Sequence, residues 1–199
     1  MKYILTLISP IVFVGFYIVM KTIDEKNYRL PKVKKSYLVF IFCVSIFLTT
    51  ITSYTELQLV NVFFYFGLVS YAAFTDFHSK YIYSLPSIVC FAIGILNYFV
   101  NCYSKYSLRS MVICFVICIV LTICQVMNVG DLELFASLIP GFYVISTNGI
   151  YPLVFILFVA ILLGFMLHIV KFFKYKEKTY AMAPYIMVGY IMTVMFYGV

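Results

Sequence analysis

Charge is what this sequence has least of. Of its 199 residues only 11% are charged and seven are acidic, while 65% are hydrophobic and the mean hydropathy is +1.07. A soluble domain carries charge on about 25% of its residues, so there is too little polar surface here to cover a water-soluble globule. The chain also lacks a CxxC pair and any His/Cys cluster with zinc spacing, so neither metal nor cofactor is expected. The basic residues are spread between apolar runs and form no separate module, so a net charge of +7 does not read as a nucleic-acid surface. The first apolar run, 3–20, follows Lys2 but has no small-x-small cleavage site before Lys21, and it reads as a retained span rather than a signal peptide. None of the runs alternates polar and apolar residues over ten positions, as β-barrel strands would over about that length.

What is present is a succession of apolar runs. At about 20 residues per span, with shorter ones tolerated in a compact bundle, eight candidates stand out: 3–20, 37–53, 57–75, 85–100, 108–127, 132–148, 150–170 and 181–198. Asn148-Gly149 marks the turn between the sixth and seventh. The expected fold is an all-α, polytopic transmembrane helix bundle of about eight spans, one integral membrane domain over 1–199. Lys21, Lys26, Arg29, Lys32, Lys34 and Lys35 fill the loop 21–36, and Lys171, Lys174, Lys176 and Lys178 the loop 171–180. With eight spans both loops fall on one side together with Lys80, leaving Lys2, Lys105 and Arg109 on the other. The basic side is expected to be cytoplasmic, with both termini outward. Tyr28, Tyr37, Tyr175 and Tyr180 fall at that boundary, where aromatic belts collect. Cys43, Cys90, Cys114, Cys118 and Cys124 lie in apolar runs and read as small packing residues; Cys102 falls in a loop.

The few acids sort by position. Asp24, Glu25 and Glu177 lie in the basic loops and Glu56 in an outer turn. Asp76 ends the third run, Asp131 follows the fifth and Glu133 starts the sixth, all on the basic side. Carboxylates at a membrane boundary either cap helix ends at headgroup level or mark a functional site. Gly130, just before Asp131, permits close backbone approach or a positive φ. Two carboxylates brought together on two helices cannot both ionise readily and share a proton. Such a pair can activate a water against an amide carbonyl and protonate the leaving nitrogen.

Asn128-Val129-Gly130-Asp131 resembles the GxGD motif of the type IV prepilin peptidases, intramembrane aspartyl proteases. Asp76 followed by Ile82 resembles the family's first aspartate motif, and TYAMAPYIMVGYI, with Pro184 and Gly189, its closing helix. The resemblance covers residues 57–198 and extends to the eight-span layout. It implies Asp76 and Asp131 as the catalytic pair, with Asn128, Gly130, Glu133, Ile82, Pro184 and Gly189 in support. It implies a multi-pass enzyme of the inner (cytoplasmic) membrane whose site faces the cytoplasm. The substrate would be a membrane-embedded prepilin or pseudopilin precursor, cut to remove its short basic leader for pilus or secretion assemblies. Departures are Asn128 for the first glycine, Glu133 where lysine is frequent, and Tyr83 where proline is frequent. The zinc-binding cytoplasmic domain of full-length members is reduced to the basic loop 21–36, so this is a short form. That domain is linked to N-methylation of the new terminus, which is not expected here.

Two other classes stay open. A membrane cysteine peptidase processing a signalling peptide would pair His78 with Cys90. A small transporter or inactive assembly scaffold would use the acids for a cation or not at all, although the acids gather at one face rather than at the midplane where transport sites usually lie. His168 is expected at the headgroups.

Overall fold

The computed structural model describes residues 2–23, 30–101, 105–124, 127–145, 150–175 and 181–198. Asp24, Glu25, Tyr28, Cys102, Asn148-Gly149, Glu177 and Tyr180 lie outside the described residues, as do the side chains of His168 and Tyr175. All regular structure among the described residues is α-helical: α1 Lys2–Leu5, α2 Ile8–Ile23, α3 Lys35–Ile51, α4 Glu56–Ser79, α5 Ser84–Asn101, α6 Lys105–Ile123, α7 Val129–Ile145, α8 Ile150–Tyr175 and α9 Ala183–Tyr197. A turn at Thr6-Leu7 separates α1 from α2.

Among the described residues three helical stretches are long and apolar enough to cross a membrane: Lys2–Ile23, Glu56–Ser79 and Ile150–Leu167. This is fewer than the eight expected. The apolar helices Lys35–Ile51, Ser84–Val100, Ser107–Ile123 and Ala183–Tyr197 are shorter, at 10–17 residues. Seventeen residues of α-helix rise about 25 Å, against a hydrocarbon core of about 30 Å. The surface agrees with a lipid-facing protein: Ile11 (65% exposed), Ile88 (61%), Ile123 (75%) and Phe158 (61%) all point outward from different helices. A water-soluble monomer does not normally expose large apolar side chains in such extent.

The centre of the bundle is α4, buried from Val62 through Asp76 except at Phe64. Its start is fixed by Thr55 and Gln58, which satisfy each other's backbone N–H groups in a capping box. Hydrophobic burial distinguishes little between helices in an apolar surround, so packing and polar contacts between them carry the association. The hydroxyl of Tyr190 on α9 donates to the Val62 carbonyl at 2.8 Å, and that of Tyr37 on α3 to the Ser70 carbonyl at 2.9 Å. Asn97 on α5 donates to Asn61 at 2.7 Å, and Ser45 on α3 to Ser9 on α2 at 3.1 Å. Close approach is bought with glycine. A Cβ on Gly94 of α5 or Gly141 of α7 would collide with the Tyr65 side chain of α4, so three helices converge around one ring. On α9, a Cβ at Gly189 would lie 2.9 Å from the Ile156 carbonyl oxygen of α8, which locks those two helices together.

The chain direction decides where the acids meet. At one end of the bundle α4 finishes while α5, α7 and α9 begin, and Lys80 together with the segment 30–34 sits at this end. At the opposite end the Ser53 N–H donates to the Gly198 carbonyl at 2.6 Å, tying the α3–α4 turn to the end of α9.

Candidate functional site

Asp131 is the third residue of α7. The Asn128 carbonyl accepts the first helical bond, from the Leu132 N–H at 3.0 Å, so Asn128 is the residue that caps α7. The Asn128 N–H in turn donates to Asp131 Oδ2 at 3.4 Å, the reach-back half of a capping box. Both are backbone bonds that a glycine would also make; what the asparagine adds is a side-chain bond to the Asp131 carboxyl. Gly130 is helical and its φ is negative; of the two uses a glycine offers, the chain takes close approach. A Cβ there would come within 3.2 Å of Ile82 Cβ, so Gly130 lets the start of α7 lie against the segment after α4. The left-handed residue is Lys80 instead, at φ 58, where its N–H donates to the Asp76 carbonyl at 2.9 Å and ends α4.

Asp76 lies inside α4, one turn before its end, rather than after it. It is 6% exposed and Asp131 3%. Both line one cavity of about 280 Å³, with Lys80, Ile82, Gly130, Asn128 and Glu133. The expected residues of both aspartate motifs are thus gathered in one place. Glu133 lines this cavity and also a neighbouring apolar one of about 200 Å³ between α5, α6 and α7; its Oε2 is buried with no hydrogen-bond partner.

The electrostatics follow from that geometry. Asp131 lies one residue before the apolar run 132–148. Its carboxyl is pushed up to about 7, first by burial and then by the charge of Asp76; bonds from Asn128 partly offset this. Two acids in one cavity sharing a proton is the expected outcome.

The closing helix contributes something that the sequence reading missed. The Ala183 N–H donates to Asp76 Oδ2 at 2.9 Å. Met182, which precedes α9, offers no side-chain cap, so a carboxylate from α4 takes its place and meets the positive end of the helix. Pro184 is the second residue of α9, where a missing N–H costs nothing. A proline opening an apolar run was the available signal for a helix N-terminus here. That its free N–H would find Asp76 is a tertiary fact. Gly189 is farther along α9 and acts through Ile156, away from the cavity.

His78 and Cys90 are not brought together. Cys90 is fully buried on α5, where its carbonyl accepts from the Tyr65 hydroxyl at 3.3 Å. His78 is exposed and lines a different cavity, near α3. Cys90, Cys114 and Cys118 are buried free thiols, in keeping with packing roles; Cys43 and Cys124 are free and exposed. No group of three His, Cys, Asp or Glu among the described residues is arranged to hold a metal ion. A larger cavity, of about 770 Å³, lies between α6, α8 and α9 around Arg109, Tyr151 and Phe158. It is lined by no carboxylate and plays no part in the acid pair.

No protein-family model, no curated protein and no solved structure matches this chain.

Proposed function

We propose that the chain is an intramembrane aspartyl endopeptidase of the prepilin-leader type, with Asp76 and Asp131 as its catalytic pair. The observation that carries this reading is that two buried aspartates from separate helices line one cavity at one end of the bundle. With one proton between them, the ionised carboxylate takes a proton from a water as its oxygen attacks the scissile carbonyl. The protonated carboxyl polarises that carbonyl, then gives its proton to the leaving nitrogen as the C–N bond breaks. No covalent intermediate forms. Which aspartate holds the proton is a property of the pair.

In this reading all eight apolar runs are embedded, the shorter helices relying on local bilayer thinning or tilt of their neighbours. The basic loops face the cytoplasm in the inner membrane. The substrate is a membrane-embedded prepilin or pseudopilin precursor. Its basic leader suits a cavity carrying Asp76, Asp131 and Glu133, and its apolar helix stays in lipid while the helix ends of the enzyme meet the scissile bond.

One structural observation favours a plainer role for Asp76, namely that it merely caps α9 through the Ala183 N–H. Asp76→Asn separates the two roles, because the amide oxygen still accepts that bond but holds no charge. As a catalyst, Asp76 replaced by Asn yields a folded protein with cleavage of a co-expressed prepilin-like precursor reduced by about 10²- to 10⁴-fold. As a cap alone, the same variant cleaves normally.

A further inference from the structure

A second cavity, of about 230 Å³, lies beside the acid pair's end of α4 and is lined by Lys32, Lys34, Ser36, Tyr37, Phe40, Phe74 and His78. Its chemistry is the reverse of the first: among the described residues its lining side chains include two lysines and a histidine and no acid. Lys34 is extended, at φ −79 and ψ 140, and precedes α3 without a side-chain cap bond, so the first-turn N–H groups near Ser36 add to the positive potential. The deeper wall is aromatic and built rigidly. The Tyr37 and Phe74 rings lie 5.2 Å apart, Phe74 and His78 4.6 Å, and the Tyr37 hydroxyl is held by the Ser70 carbonyl. The His78 Nδ1–H donates to the Phe74 carbonyl at 2.8 Å, which fixes the ring; Nε2 then carries a hydrogen for an anion only in the imidazolium form. Directly beside this rim the surface turns apolar, with Val39 58%, Phe40 44% and Phe77 63% exposed.

We infer that this cavity binds the phosphate of an anionic phospholipid headgroup, held by Lys32 and Lys34, with the acyl chains lying along Val39, Phe40 and Phe77. A cationic rim continuous with exposed apolar side chains fits an amphiphile. A soluble phosphate would gain nothing from the apolar part. The site shares no lining residue with the cavity of the acid pair, so it stands whether or not the chain is a peptidase. Its effect is to fix α3 and the end of α4 against the membrane surface, where each basic side chain near an anionic leaflet contributes about 1 kcal/mol.

The test is a lipid titration of the whole chain in detergent micelles, following thermal unfolding with added phosphatidylglycerol, with phosphatidylcholine, and with inorganic phosphate. The expected result is a saturable stabilisation by phosphatidylglycerol, with little from either of the others. Lys32→Gln combined with Lys34→Gln weakens the apparent affinity about 30-fold. Lys2→Gln combined with Lys21→Gln removes the same charge elsewhere and leaves it unchanged. Equal weakening by both pairs makes the attraction a diffuse field and overturns the site. An equal response to inorganic phosphate overturns the lipid assignment, and the absence of any phosphatidylglycerol effect overturns both.

Discussion

Asp131 sits at the third position of its helix and accepts from the Asn128 N–H, yet its proton affinity is governed by burial and by Asp76. Helix capping alone holds a carboxyl in its ordinary acidic range; here burial and the neighbouring charge outweigh it. The pair's shared proton is lost as pH rises through about 7. Cleavage in proteoliposomes should therefore fall on the alkaline side with a midpoint near that value, and a rate flat across neutral pH would contradict the coupling. The same shift has a stability consequence. The folded state holds its proton on Asp131 more tightly than the unfolded chain does, so stability rises as pH falls from about 7 towards the ordinary carboxylate range. Asp131→Asn should flatten that rise in a thermal-unfolding series. Both acids were legible in the sequence, because a carboxylate stands out against so apolar a background. The Ala183 N–H was not legible, since a backbone donor carries no residue signal.

At the scale of the element, the contact that joins the two halves of the site is between Gly130 on α7 and Ile82 before α5. The Cβ of Gly130→Ala would meet Ile82 Cβ at 3.2 Å, so one segment must give by a few tenths of an ångström. Alanine is also the better helix former, by about 1 kcal/mol, and that gain offsets the strain. Gly130→Ala should thus keep its thermal stability while precursor cleavage falls by about tenfold, as misplacement of a reacting group does. Adding Ile82→Ala, which leaves the contacting Cβ but trims the rest of the side chain, should recover part of the rate. Full activity in Gly130→Ala would show that the spacing of the two segments does not matter. The helices themselves were readable as apolar runs, but their ends were not. The helix α4 continues past its apolar run through Asp76 to Ser79, and α7 begins before its run at Val129. Polar residues at a bundle's end can stay helical when caps and tertiary bonds satisfy their backbone, and hydropathy does not register that.

At the scale of the whole molecule, the apolar girdle and three long apolar helices among the described residues make a membrane protein the natural reading, while the eight-span layout is an expectation from the apolar runs and its orientation one from the basic-residue bias. A membrane-impermeant amine reagent should label Lys32 and Lys34 in inside-out vesicles and Lys2 in right-side-out ones. Labelling of all three from one side would undo the layout. The all-helical class followed directly from composition. The meeting of Asp76 with Asp131 did not, because it depends on how α4, α5 and α7 converge around Tyr65 through Gly94 and Gly141, a match of shapes that no single segment records. The most direct measurement is precursor processing in cells that co-express a prepilin-like substrate with the native chain, Asp76→Asn or Asp131→Asn, each checked for expression and folding. The native chain should release the basic leader and each variant should leave the precursor intact. Leader removal by either variant, or none by the native chain, would contradict the proton-sharing pair.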